Sequence, residues 1–156
     1  MANPNQFTPQ GTLNRIQAQV QIPAYPILNV SASFLGTDAI SIAFTGEQTN
    51  MLTSLTGLVT SPAPYQTAVI KMHLLRTQNL SALYKQQIEL STLIGDMTIY
   101  PDSASLPTYE IANCAIVEVA ELPFTGRDAG FMVTIQGTYY INSVLYTGFI
   151  ANPAGV

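Results

Sequence analysis

The chain has 156 residues, with five Lys and Arg against nine Asp and Glu, a net charge of −4, and charge at only 9% of positions. Soluble domains usually carry charge at about a quarter of their positions, so a surface of uncharged Gln, Thr, Ser and Asn implies that much of it is meant to be covered. A hydrophobic content of 47% excludes intrinsic disorder. The dispersed cations Arg15, Lys71, Arg76, Lys85 and Arg127 argue against a basic patch that could grip nucleic acid by displacing counterions.

A chain of this length forms one domain spanning 1–156, large enough to bury about two thirds of its unfolded surface without disulfides. Met1 to Arg15 hold Asn, Gln, Thr and Pro where a secretory leader would hold a basic start and an apolar run, so export by that route is not expected. The segment reads as a short flexible lead into the domain. No apolar run is long enough for a membrane-spanning helix, and no insertion of the subunit into a membrane is expected.

From Arg15 to Ile22 the residues Ile16, Ala18, Val20 and Ile22 alternate with Gln17, Gln19 and Gln21, which specifies a strand with one apolar and one glutamine face. Glutamines can bond a neighbouring subunit or water without the desolvation cost of a buried charge. After Pro23 and Pro26 a second strand is expected through Ile27 to Leu35, and a third from Ala39 to Phe44 beyond a Gly36-Thr-Asp38 turn.

Residues 45–65 read as a long loop rich in Thr, Ser, Gly and Pro that also holds Met51, Leu52, Leu55, Leu58 and Val59. Either it folds back on the core as an extra hairpin or its apolar residues project to meet another subunit. Gln66 to Arg76 is a strong strand, with Ala68, Ile70, Met72 and Leu74 on one side.

Helical periodicity occurs once, over about 79–94, with Leu80, Leu83, Tyr84, Ile88, Leu90 and Ile94 on one face, Asn79 as N-cap and Gly95 as stop. Strands follow at Met97 to Tyr100, Tyr109 to Ala120 and Phe131 to Asn142, with an edge strand expected at Val144 to Ile150. The fold class is mainly β, a barrel or sandwich of about seven or eight strands flanked by one helix.

Chemical motifs are sparse. One histidine, His73, and one cysteine, Cys114, cannot make a His/Cys zinc cluster, and Cys114 reads as a small buried thiol. No Gly-x-Ser-x-Gly elbow, Gly-rich phosphate loop or dinucleotide fingerprint occurs, and no cofactor is expected. The carboxylates Asp96 and Asp102, and Glu118 and Glu121, could meet at glycosidase spacing, but read more simply as solvated loop and strand-end charges. The Asn29-Val-Ser31 and Asn79-Leu-Ser81 sequons are coincidental without export.

Three stretches carry a resemblance. They are Leu74-Leu-Arg-Thr-Gln-Asn-Leu-Ser-Ala-Leu83 running from strand to helix, Gly95-Asp-Met-Thr-Ile-Tyr100, and Ile111-Ala-Asn-Cys-Ala-Ile-Val-Glu118. With the polar-faced first strand, the apolar-tipped loop and the final hairpin, their order resembles the tail tube proteins of tailed bacteriophages, a group that includes the tubes of contractile injection systems.

The resemblance implies a non-enzymatic virion subunit, assembled in the host cytoplasm, six copies of which form a ring that stacks into a DNA-conducting tube. It implies sheath, baseplate and tail terminator proteins as partners. Ring stacking would fall to Met51, Leu52, Leu55 and Leu58, and the channel wall to Gln17, Gln19 and Gln21, with a neutral or acidic lumen that DNA passes without adhering. The competing reading is a monomeric β-sandwich binding module, such as a carbohydrate-recognition domain, with Tyr65, Tyr100, Tyr109 and Tyr139 as stacking platforms.

Overall fold

The computed structural model describes residues 17–76, 79–119, 127, 130–143 and 145, and structural statements refer to these. Along the chain run β1 (Ala18–Gln21), β2 (Leu35–Thr45), β3 (Thr49–Ser54), β4 (Gly57–Pro62), β5 (Tyr65–Leu75), α1 (Leu80–Leu90), β6 (Leu93–Pro101), β7 (Tyr109–Val119) and β8 (Gly130–Tyr140). The fold is mainly β with a single helix among the described residues, as the sequence pattern specifies.

Six strands form one antiparallel sheet in the order β1-β6-β7-β8-β5-β2, and β3 and β4 form a separate two-stranded hairpin. The sheet curls until its first strand meets the chain ahead of its last. Val20 and Val30 exchange backbone hydrogen bonds of 2.8 and 2.9 Å there, an isolated bridge. The result is a nearly closed barrel joined at one end of its seam.

Period-two alternation builds the interior. On β5, Gln66, Ala68, Ile70, Met72 and Leu74 point inward and are buried, while Tyr65 and Lys71 point out. They meet Val20, Ile94, Met97, Ile99, Ile111, Val133 and Ile135 from the other strands in one continuous core. The helix closes the end of the barrel reached by the end of β5. Leu80 and Tyr84 are buried in the core, and the Tyr84 hydroxyl donates to the Leu28 carbonyl at 2.9 Å. Without that bond a buried phenol and a buried carbonyl would each lack a partner. Burial also pushes the Tyr84 phenol well above its ordinary pKa.

Strands β6 and β7 are irregular where they pair. Gly95 takes φ +78 and Asn113 takes φ +52, both in the left-handed region, and the Asp96 carboxylate accepts the Asn113 backbone N–H at 3.2 Å. This bulge pushes Ile111 and Cys114 toward β8, where Gly137 faces them. A Cβ on Gly137 would lie 2.5 Å from Ile111 Cγ2 and 2.7 Å from Cys114 Sγ, so only glycine fits. The Cys114 thiol donates to the Ile111 carbonyl at 3.4 Å, and burial, with a smaller contribution from Asp96, pushes its pKa up to about 12.

Four expectations need correction. The strand over Ile27 to Leu35 is replaced by two 3-10 turns, Pro26–Leu28 and Ala32–Phe34, with only Val30 bridging to the sheet. Pro26 sits at the start of the first turn, and local i to i+3 bonds close both. The helix ends at Leu90 rather than at 94, because Gln87 turns back to donate to the Ser91 carbonyl and Leu93 already pairs with Ala115 in β6. Asn79 makes no side-chain cap bond. Residues 45–65 are not a loop but the end of β2 followed by the hairpin of β3 and β4. The edge strand expected over Val144 to Ile150 lies outside the described residues apart from Leu145, as do residues 1–16.

Candidate functional site

The hairpin leaves the barrel at the end remote from α1, between Thr45 of β2 and Tyr65 of β5. Its register, Thr49 opposite Pro62 through Ser54 opposite Gly57, leaves Leu55 and Thr56 as the turn. Six residues of strand reach about 20 Å. Among the described residues neither strand packs substantially on anything except the other, and every residue of β3 is exposed.

The side chains make this arm unusual. Directly opposed residues of an antiparallel pair share a face, so Leu52 and Val59 form an apolar pair on one face, with Met51 and Leu58 on the other. Met51 is 50%, Leu52 48%, Leu58 62% and Val59 53% exposed, and Leu55 at the tip is fully so. No charge occurs from Gln48 to Pro64. A two-stranded hairpin alone is marginal in water, and natural proteins guard such edges with charge, proline or cover. This one has only Pro62 and Pro64. Met51, Leu52, Leu55 and Leu58 are thus brought together on one projecting element, three on its faces and one at its tip.

At the same end the barrel wall formed by the described residues is incomplete. Phe44, Tyr109 and Tyr139 cluster there, with Phe44 and Tyr139 ring centroids 4.7 Å apart. Beside them an apolar cleft of about 330 Å³ lies between the unpaired portions of β1 and β2, lined by inward-facing Ala18, Ile40, Ile42, Phe44, Ile99 and Tyr109, with Leu106 and Pro107 at its rim.

Gln17, Gln19 and Gln21 are exposed along the outer face of β1, beside Tyr100 and Thr98 of β6. Strands β1, β6 and β7 carry Asp96, Glu110 and Glu118 and no Lys, Arg or His. Asp96 and Glu110 line one outer groove with Thr98 and Tyr140. The cations Lys71 and Lys85 stand on β5 and α1. Lys85 is engaged by Glu89 at 2.7 Å in an exposed pair of little energetic weight.

The remaining candidates do not assemble. Tyr109 and Tyr139 face inward in the aromatic cluster, whereas Tyr65 and Tyr100 face outward on strands separated by β7 and β8, so the four tyrosines share no platform. Asp96 on β6 and Asp102 just past its end lie six residues apart, about 20 Å in extended chain, beyond the separation of a carboxylate pair acting on one bond. Glu121 lies outside the described residues. His73 is half-buried on the outer side of β5, opposite Met132, and its Nδ1 is buried with no hydrogen-bond partner. Among the described residues no group of three His, Cys, Asp or Glu is placed to hold a metal, and no helix is long and apolar enough to cross a membrane.

The seam cleft was not legible in the sequence, since its lining comes from four strands and a loop far apart in the chain. No protein-family model matches the chain, and a search of curated protein sequences returns no match.

Proposed function

We propose that the protein is a structural subunit that polymerises into stacked rings, a tail tube of the bacteriophage type. The reading is supported foremost by the β3–β4 arm, an uncharged hairpin with apolar side chains on both faces and no substantial cover among the described residues. A monomer that exposed this arm permanently would aggregate, whereas a heterologous contact from copy to copy converts the same adhesiveness into an ordered polymer.

Charge distribution accords with a conduit. The outer face of β1 and β6, with its glutamines and neighbouring carboxylates, is the candidate channel wall. Six copies at −4 each place about −24 on a ring, and phosphate passing an acidic or neutral wall is not held by it. Sheath, baseplate and terminator proteins, location in a virion tail and assembly in a host cytoplasm belong to this proposal. Negative-stain electron microscopy of the purified protein tests it. Rings or rods are expected, and dispersed monomers over the full concentration range would refute it.

A further inference from the structure

We propose that the seam between β1 and β2 is the socket for the hairpin tip of a second copy of this chain, with Leu55 entering and Leu52 and Leu58 packing at the rim. The inference rests on the assembly reading and adds the receiving surface to it.

The cleft consists of core-facing side chains with no wall over them among the described residues. Ile40, Ile42 and Phe44 lie on the same face of β2 as the buried Met72, Ile70 and Ala68 lie on β5, yet remain partly exposed because β1 and β2 do not pair at this end. Three observations select the occupant. The lining is apolar, with tyrosine its only titratable residue, so a charged segment entering it would lose hydration with nothing to replace it. The arm is uncharged from Gln48 to Pro64.

The two strands bounding the gap are the ends of the sheet and, among the described residues, have no strand paired along this stretch of their outer edges. An extended segment can pair with these edges as it fills the gap, which a helix cannot. The third observation is area. Leu55, Leu52 and Leu58 offer on the order of 400 Å², about half of the roughly 800 Å² that each partner contributes to a specific interface, and Met51 and Val59 add on the order of 200 Å² on the arm's faces. Among the described residues the arm packs substantially on no other element and none of its residues lines the seam cleft, so the socket it fits is a neighbour's.

Disulfide trapping tests this. Leu55→Cys protein and Leu106→Cys protein are mixed at assembling concentration under mild oxidation and run on non-reducing gels beside micrographs. The native Cys114 is buried and does not interfere. Covalent pairs containing one of each variant, present in the assembled fraction and absent from monomers, are the expected result. Pro107→Cys, exposed at the same rim, repeats the test if Leu106→Cys misfolds. Assembled particles without such pairs overturn the socket and leave the assembly reading standing. A Leu106→Cys thiol already shielded from reagent in the monomer also overturns the socket, since the chain's own residues would then fill the seam. Absence of rings and rods from the unmodified protein overturns both.

Discussion

Replacing Leu55 by aspartate, alone and together with Leu52→Asp, tests the adhesive role proposed for the arm separately from its folding. Leu55 is fully exposed and Leu52 48% exposed, so neither side chain is part of the core. Burying a whole leucine is worth about 1.5–3 kcal/mol, and half a leucine about half that, so assembly would lose roughly 2–4 kcal/mol per subunit. At tenfold per 1.4 kcal/mol, the concentration needed for assembly rises by about 30- to 1,000-fold, before the added cost of burying an unpaired carboxylate. Leu55→Asp is the cleaner variant because Leu52 also pairs with Val59 across the hairpin. Sedimentation and electron microscopy over a concentration series read the shift, while circular dichroism reports an unchanged fold. Rods of normal length at the normal concentration from the double variant would refute the role given to the arm.

Gly137→Ala should lower the thermal midpoint, because its methyl would meet Ile111 and Cys114 side chains and the Ala112 carbonyl at 3.0 Å or less. Overpacking of about 1–3 kcal/mol corresponds to a drop of roughly 2–12 °C by calorimetry. Tyr84→Phe leaves the buried Leu28 carbonyl without its phenol, and the urea midpoint should fall by the equivalent of about 1–3 kcal/mol with an unchanged slope. For Cys114 the folded-state pKa lies above the ordinary value of 9.0, so the fold favours the neutral thiol. Its contribution is complete below about pH 9 and is lost as pH rises toward 12. The wild type should therefore lose thermal stability more steeply over that window than Cys114→Ser, and equal slopes would contradict the assignment.

Strands with one wet and one buried face could be read directly from the sequence. In β1 the glutamines at 17, 19 and 21 are exposed while Val20 and Ile22 are fully buried, and β5 alternates without a break from Tyr65 to Leu75. The hairpin escaped the same logic for a physical reason. Met51 and Leu52, then Leu58 and Val59, are adjacent apolar pairs that place one residue on each face, so the strands have no dry side and no period-two signal.

The helix was legible in its Leu80 and Tyr84 stripe, yet its end was not. Ile94 continues the helical spacing but is buried as a strand residue, and Gly95 serves the bulge opposite Cys114 rather than a helix stop. The candidate arm residues were visible as an anomaly of composition. The seam was not, because curvature of the sheet, rather than any local pattern, brings Ala18, Ile40 and Tyr109 to one opening.

The arm leaves one end of the barrel and the helix covers the other, so no two-fold axis relates the molecule's two ends. A filament in which every arm reaches the next copy inherits that asymmetry. One terminus would present a row of unengaged arms, the other a row of vacant receiving surfaces. Growth would proceed at unequal rates at the two, and arresting it would require two different terminating proteins, one complementary to an apolar hairpin and one that mimics it.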